Sequence, residues 1–94
     1  MKITFKFKGS VFKQENDINL EIPNNTTIIS ALRILVEKIP HLASLLFKGN
    51  TVRSDIIVIV DKTDIISMNL LEMILHDQQE ITVLPLAHGG TINY

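Results

Sequence analysis

Residues 2–8 read KITFKFK, with Ile3, Phe5 and Phe7 alternating against Lys2, Thr4, Lys6 and Lys8. A period of two marks a strand with one face buried and the other in water. Gly9-Ser10 opens a turn, and residues 17–22, DINLEI, resume the alternation with Ile18, Leu20 and Ile22 on one face. The chain therefore opens as a hairpin with a long polar loop. Pro23-Asn24-Asn25 ends the second strand, because Pro has no N–H to give to a ladder. Beyond it the spacing changes to three and four: Ile28, Ile29, Leu32, Leu35, Val36 and Ile39 form one stripe, opposite Arg33, Glu37 and Lys38. That pattern predicts an amphipathic helix, capped by Thr26 or Thr27 and stopped at Pro40.

The second half is less regular. Residues 41–47, HLASLLF, predict a short helical turn, and Lys48-Gly49-Asn50 is a turn signal. Residues 56–60, IIVIV, are apolar throughout and predict a strand buried on both faces or turned toward a partner on one. Asp61 to Asp64 turns the chain, and residues 65–75 are compatible with a short helical turn. Ile81 to Leu84 is the last strand, with Pro85 expected to end its pairing and launch the chain away from the sheet. A hairpin, a crossing helix and later strands give the layout of a β-grasp. This is an α+β fold with a mixed sheet of roughly four to five strands packed on one main helix. The expected organisation is a domain over residues 1–85 and a flexible C-terminal arm over 86–94.

Composition narrows the chemistry. At 94 residues the chain is one domain. Ile, Leu and Val supply 32 residues, so the core is aliphatic. With no Cys, disulfides, thiolate-bound metal and thiol nucleophiles are excluded. The net charge of −1 favours neither nucleic acid nor acidic membranes as partners. It is unevenly spread, since residues 1–53 carry eight basic and four acidic side chains and residues 54–94 one and six. That dipole suits docking to a partner of one sign. The longest apolar run, Ile56 to Val60, is too short to span a membrane, and the alternating N-terminus does not read as a targeting signal. The cytoplasm is the expected compartment.

His41, His76 and His88 are not at metal-ligand spacing, and neither a nucleophile turn nor a phosphate-cradling Gly loop is visible. The domain does not read as a self-sufficient enzyme. What stands out is the end: Pro85-Leu86-Ala87-His88-Gly89-Gly90, then Thr91-Ile92-Asn93-Tyr94. Glycines let a backbone enter a narrow site and adopt unusual dihedrals.

Residues 75–90, LHDQQEITVLPLAHGG, resemble the C-terminal segment of the MoaD/ThiS family of ubiquitin-like sulfur carriers. Leu75, Asp77, Glu80, Ile81, Pro85, Gly89 and Gly90 fit that pattern in register, and Ala31-Leu32 after a Thr-rich start looks like the family's first helix. MoaD is the small subunit of molybdopterin synthase, and the His-Gly-Gly ending also resembles ubiquitin-related carriers that thiolate tRNA and modify proteins. The resemblance implies that the carboxylate of Gly90, supported by Gly89, is adenylated by an E1-like enzyme using ATP. It then becomes a thiocarboxylate that donates sulfur, for example to the large subunit of molybdopterin synthase. No bound cofactor or metal is implied. Two departures stand out: Gln78-Gln79 replaces a frequent Gly-Asp, and Thr91–Tyr94 follow the glycine pair. Gly90 has no free carboxylate until those four residues are removed, which implies a processing protease or an inactive relative.

The expected partner-binding residues are Leu84, Pro85, Leu86, Ala87 and His88, with Ile57 and Ile59. If Ile81 and Val83 face the helix, Leu84 faces outward, and one of the two alternating sets in residues 56–60 joins it. Whether the segment 61–75 covers that face stays open. The rival readings are a modifier joined to target lysines and a non-reactive interaction module.

Overall fold

The computed structural model describes residues 1–86. Ala87, His88, Gly89, Gly90 and Thr91–Tyr94 lie outside the described residues.

The first strand, β1 (Lys2–Phe7), pairs antiparallel with β2 (Ile18–Glu21). The loop between them is not wholly polar. Ser10–Phe12 forms a 3-10 turn that buries Phe12, whose ring lies 5.6 Å from that of Phe7. The helix α1 (Ile28–Lys38) follows, with the Thr27 hydroxyl accepting the Ser30 N–H at 3.2 Å as its cap. Ile28, Ala31, Leu32 and Leu35 are buried, while Ile29, Val36 and Ile39 are half-buried. A 3-10 turn at Pro40–Leu42 leads into α2 (Ala43–Leu46). The turn signal at Lys48-Gly49-Asn50 closes a small separate hairpin of β3 (Phe47–Lys48) and β4 (Thr51–Val52).

The run of β-branched residues is β5 (Ile56–Val60), followed by β6 (Thr63–Asp64) and, at the end of the described chain, β7 (Glu80–Pro85). The main sheet has five strands in the order β2-β1-β7-β5-β6. β7 runs parallel to β1 and antiparallel to β5, so the last strand sits at the centre. Its Ile81 and Val83 are fully buried with Ile3, Phe5 and Val58. Each such aliphatic side chain contributes about 1.5–3 kcal/mol relative to exposure.

Residues 65–75 form turns rather than a helix, for a definite reason. Their backbone satisfies the start of α1: Ile28 N–H donates to Met73 O and Ile29 N–H to Leu71 O, both at 2.9 Å. Those donors have no partner within the helix. Leu75 N–H donates to Thr26 O, and Ile65 and Leu75 are buried as anchors.

Pro85 behaves differently from the expectation. It ends pairing on one edge only. Lys8 N–H bonds to Val83 O at 2.9 Å. In a parallel ladder the Lys8 carbonyl would next meet the N–H of residue 85, which Pro lacks. On the other edge, pairing with β5 continues: Pro85 stands opposite Ile56, and Leu86 N–H donates to Asp55 O at 2.9 Å. The chain is therefore still attached to the sheet at Leu86.

Where β1 has ended, Gly9 packs against Pro85. A Cβ on Gly9 would lie 2.9 Å from Pro85 Cδ, and its φ of 120° is one that other residues rarely adopt. Gly9→Ala is expected to lower stability by at least about 2 kcal/mol in urea titration. Adding Pro85→Ala should restore part of that loss by removing the ring that a methyl group meets.

Candidate functional site

β7 brings the segment 75–86 to three places, and each was visible to the sequence in a different degree. The first is the turn that leads into it. Asp77 Oδ1 accepts the N–H of Lys2 at 2.7 Å, and Gln78 N–H donates to Lys2 O at 2.8 Å. Gln79 is held by its side chain, which accepts from His76 N–H at 2.7 Å and donates to Asp61 at 2.6 Å. These bonds tie the start of β7 to the start of β1. The Lys2 N–H, and then the Gln78 amide, hold the Asp77 carboxyl below its ordinary value. Gln78 has φ 73°, a left-handed conformation, at the position where the sequence pattern often has Gly.

The second place is the outward face of the sheet. Ile57 stands opposite Leu84, and Ile59 opposite Thr82. Ile56, Val58 and Val60 are buried beneath, so the outward set is Ile57 and Ile59. Ile57, Ile59 and Leu84 are half-buried. The segment 65–75 is anchored on the start of α1 and leaves these three side chains partly open to solvent. Lys6 flanks them, with Nζ 3.4 Å from Glu80 Oε1.

The third place was not legible in advance. Pro85 and Leu86 line one wall of an open cleft of about 500 Å³. Gly9–Phe12, Ser44 and Leu45, with Arg53, Asp55 and Ile56, form the rest. Arg53 grips Asp55 with two bonds, Nε to Oδ1 at 2.9 Å and Nη2 to Oδ2 at 2.8 Å. The hydrogen bonds and the charge of Asp55 hold the guanidinium above its ordinary pKa. Asp55 also offers its backbone carbonyl to Leu86 N–H. One residue thus fixes both Arg53 and the direction in which the chain leaves the sheet. The available signal was the Arg53-x-Asp55 spacing directly before β5, together with Gly9.

Of the residues expected to bind a partner, Ile57, Ile59 and Leu84 come together on the outward face. Pro85 and Leu86 lie beside the cleft, with 45% of Leu86 exposed. Ala87, His88, Gly89 and Gly90 are outside the described residues. Among the described residues, no helix is long and apolar enough to cross a membrane.

A family model described as Urm1 (Ubiquitin related modifier) matches residues 2–90. No curated protein matches the chain. Among solved structures, it resembles the crystal structure of SAMP1 from Haloferax volcanii, at 17% identity and a TM-score of 0.78, covering 90% of this chain and 94% of that one. The solution structure of the small archaeal modifier protein 1 from Methanosarcina acetivorans gives 20% identity and 0.74, covering 89% and 91%. The solution structure of Urm1 from Trypanosoma brucei gives 23% and 0.66, covering 95% of both chains. These likenesses establish the β-grasp, ubiquitin-like fold.

Two substitutions test the turn before β7. A carboxyl whose pKa is lowered by folding stabilises the fold above its unfolded pKa, and that contribution disappears as pH falls through the folded value. Asp77→Asn should therefore lower the urea midpoint at neutral pH, with the difference from the parent shrinking as pH drops below the ordinary carboxylate value of about 4 and gone below the lower folded one. Gln78→Gly relieves the left-handed conformation and should raise stability by roughly 0.5–1 kcal/mol, net of glycine's greater freedom in the unfolded chain.

Proposed function

The chain belongs to the Urm1 family of ubiquitin-related modifiers, and we propose that it works through an activated carboxyl group on Gly90. An E1-like enzyme transfers AMP from ATP to the Gly90 carboxylate and releases pyrophosphate. Hydrosulfide attacks the acyl carbon, the bond to AMP breaks and AMP leaves, and the product is a Gly90 thiocarboxylate. That group hands sulfur to an acceptor, or the activated Gly90 is joined to a lysine amine of a target protein.

One observation carries this reading: the family match ends on Gly90. Thr91–Tyr94 stand beyond it. As long as the Gly90 carbonyl is amide-bonded to Thr91 it offers no carboxylate to adenylate. Cleavage after Gly90 by a protease is therefore part of the proposal. The half-open apolar set of Leu84, on the strand that leads to Gly90, and Ile57 and Ile59, on its neighbour β5, supports a role in docking.

The two fates of sulfur and of the acyl group are chemically compatible, since both begin from the same activated carboxyl. Molybdopterin synthesis, with the large subunit of its synthase as acceptor, is one destination for such sulfur, and tRNA is another. Attachment to lysine is favoured as a parallel activity by the description of the matching family as a modifier.

Intact-mass measurement of the protein purified from its own cells tests this. The expected result is a species ending at Gly90, a fraction of it heavier by the replacement of one oxygen with sulfur. Recovery of the full chain alone would contradict the proposal.

A further inference from the structure

β2 is the outer strand of the main sheet, and among the described residues no strand pairs with one of its two edges. The ladder with β1 shows which backbone groups face that edge. Ile22 N–H donates to Met1 O at 2.8 Å, and the Met1 ammonium donates to Ile22 O at 2.7 Å. In an antiparallel ladder, hydrogen-bonded pairs alternate with non-bonded ones. Leu20 and Ile18, opposite Ile3 and Phe5, therefore turn their N–H and C=O groups toward β1. Asn19 and Glu21 turn theirs away from it. Lys2 and Thr4, the residues opposite them, do the same on the other side of the ladder: Lys2 bonds to Asp77 and Gln78, and Thr4 N–H to Gln79 O.

The two faces of β2 are equally distinct. Asp17, Asn19 and Glu21 are exposed, whereas Ile18 and Leu20 are half-buried and pack toward the core. With Asp17 just before it, β2 is thus acidic on its water face and aliphatic on its helix face. The strand it already holds, β1, is the complement: Lys2, Thr4 and Lys6 on the water face, Ile3 and Phe5 buried. Lys6 Nζ lies 4.0 Å from Asp17 Oδ2, and Thr4 Oγ1 donates to Asn19 Oδ1 at 2.6 Å. A second copy of β2 is a poor occupant. Pairing two antiparallel copies about Asn19 sets Asp17 of each against Glu21 of the other, and like charges directly opposite destabilise a pair.

We propose that the open edge of β2 takes up an extended peptide in which apolar and basic residues alternate, adding a sixth strand to the sheet. The backbone of the peptide pairs with Asn19 and Glu21. Its apolar side chains continue the half-covered row of Ile18 and Leu20. Its Lys or Arg side chains lie beside Asp17 and Glu21, whose present partners, Lys6 at 4.0 Å and the Met1 ammonium at 3.6 Å, are both on the β1 side. Main-chain bonds give such a strand its affinity, and the alternating side chains give its selectivity. This site is separate from the Gly90 chemistry and does not depend on it.

The test uses the full chain and a synthetic peptide with the sequence of residues 2–8, KITFKFK. A counterpart carries Glu in place of each Lys. Binding is followed by backbone amide NMR shifts and by fluorescence anisotropy. The proposal expects saturable binding of the basic peptide, with the largest shifts at Asn19 and Glu21, and no binding of the acidic one. Asn19→Pro removes an N–H that β1 does not use and should weaken binding by about tenfold or more. The pair Asp17→Lys and Glu21→Lys should reverse the preference and make the acidic peptide the ligand; this arm decides if Asn19→Pro fails to fold. Equal binding of the two peptides, binding of neither, or shifts located away from β2 would overturn the proposal. So would occupation of the edge by a second copy, seen as a dimer in sedimentation.

Discussion

β7 is bonded along both edges, and the rest of the molecule depends on that. The last strand of the described chain enters between β1 and β5, parallel to one and antiparallel to the other. Neither neighbour can form the sheet without it. β1 and β2 alone are a hairpin, and an isolated hairpin is marginal in water. Insertion of β7 buries Ile81 and Val83 against Ile3, Phe5 and Val58 and gives α1 a continuous surface to cover. The segment that precedes it is used as well, since residues 71 and 73 supply carbonyls to the first turn of the helix. The sheet core thus cannot close until Glu80–Pro85 is in place between β1 and β5.

The same constraint sets where the chain leaves the sheet. A strand held on two sides has a fixed direction, and the chain leaves it at a fixed point. Pro85 ends the pairing with β1, Gly9 makes room for its ring, and Asp55 keeps hold of Leu86. The residues leading to Gly90 thus start beside a cleft on one side and an apolar outward face on the other. A carrier or modifier has to present a short reactive segment at a defined distance from a docking surface. In the proposed role, Leu84 on β7 and Ile57 and Ile59 on the neighbouring β5 would be that surface.

Much of this was legible in the sequence wherever a period was clean. The alternation in residues 2–8 and 17–22 and the three-four spacing of residues 28–39 located β1, β2 and α1. The register of residues 75–90 carried the resemblance to the ubiquitin-like carriers and modifiers. IIVIV could not reveal which set faces outward, because five apolar β-branched residues have no alternation. Only pairing with β7 turns Ile57 and Ile59 to the surface. Residues 65–75 had no stable period because their role is carried by backbone carbonyls and two buried anchors, Ile65 and Leu75. Pro85 was read as a break on both sides, whereas its missing N–H affects one edge. Gly9 and the Arg53-x-Asp55 spacing gave only a weak signal, since Gly9 and Asp55 act on residues about 75 and 30 positions away in the chain.

The central claim is that Gly90 is the reactive end and that Thr91–Tyr94 block it. ATP–pyrophosphate exchange catalysed by the activating enzyme of the same cell, measured with the chain ending at Gly90 and with the full chain, addresses it most directly. The account predicts exchange that depends on the chain ending at Gly90 and background exchange with the full chain. Equal exchange with both, or none with either, would contradict it.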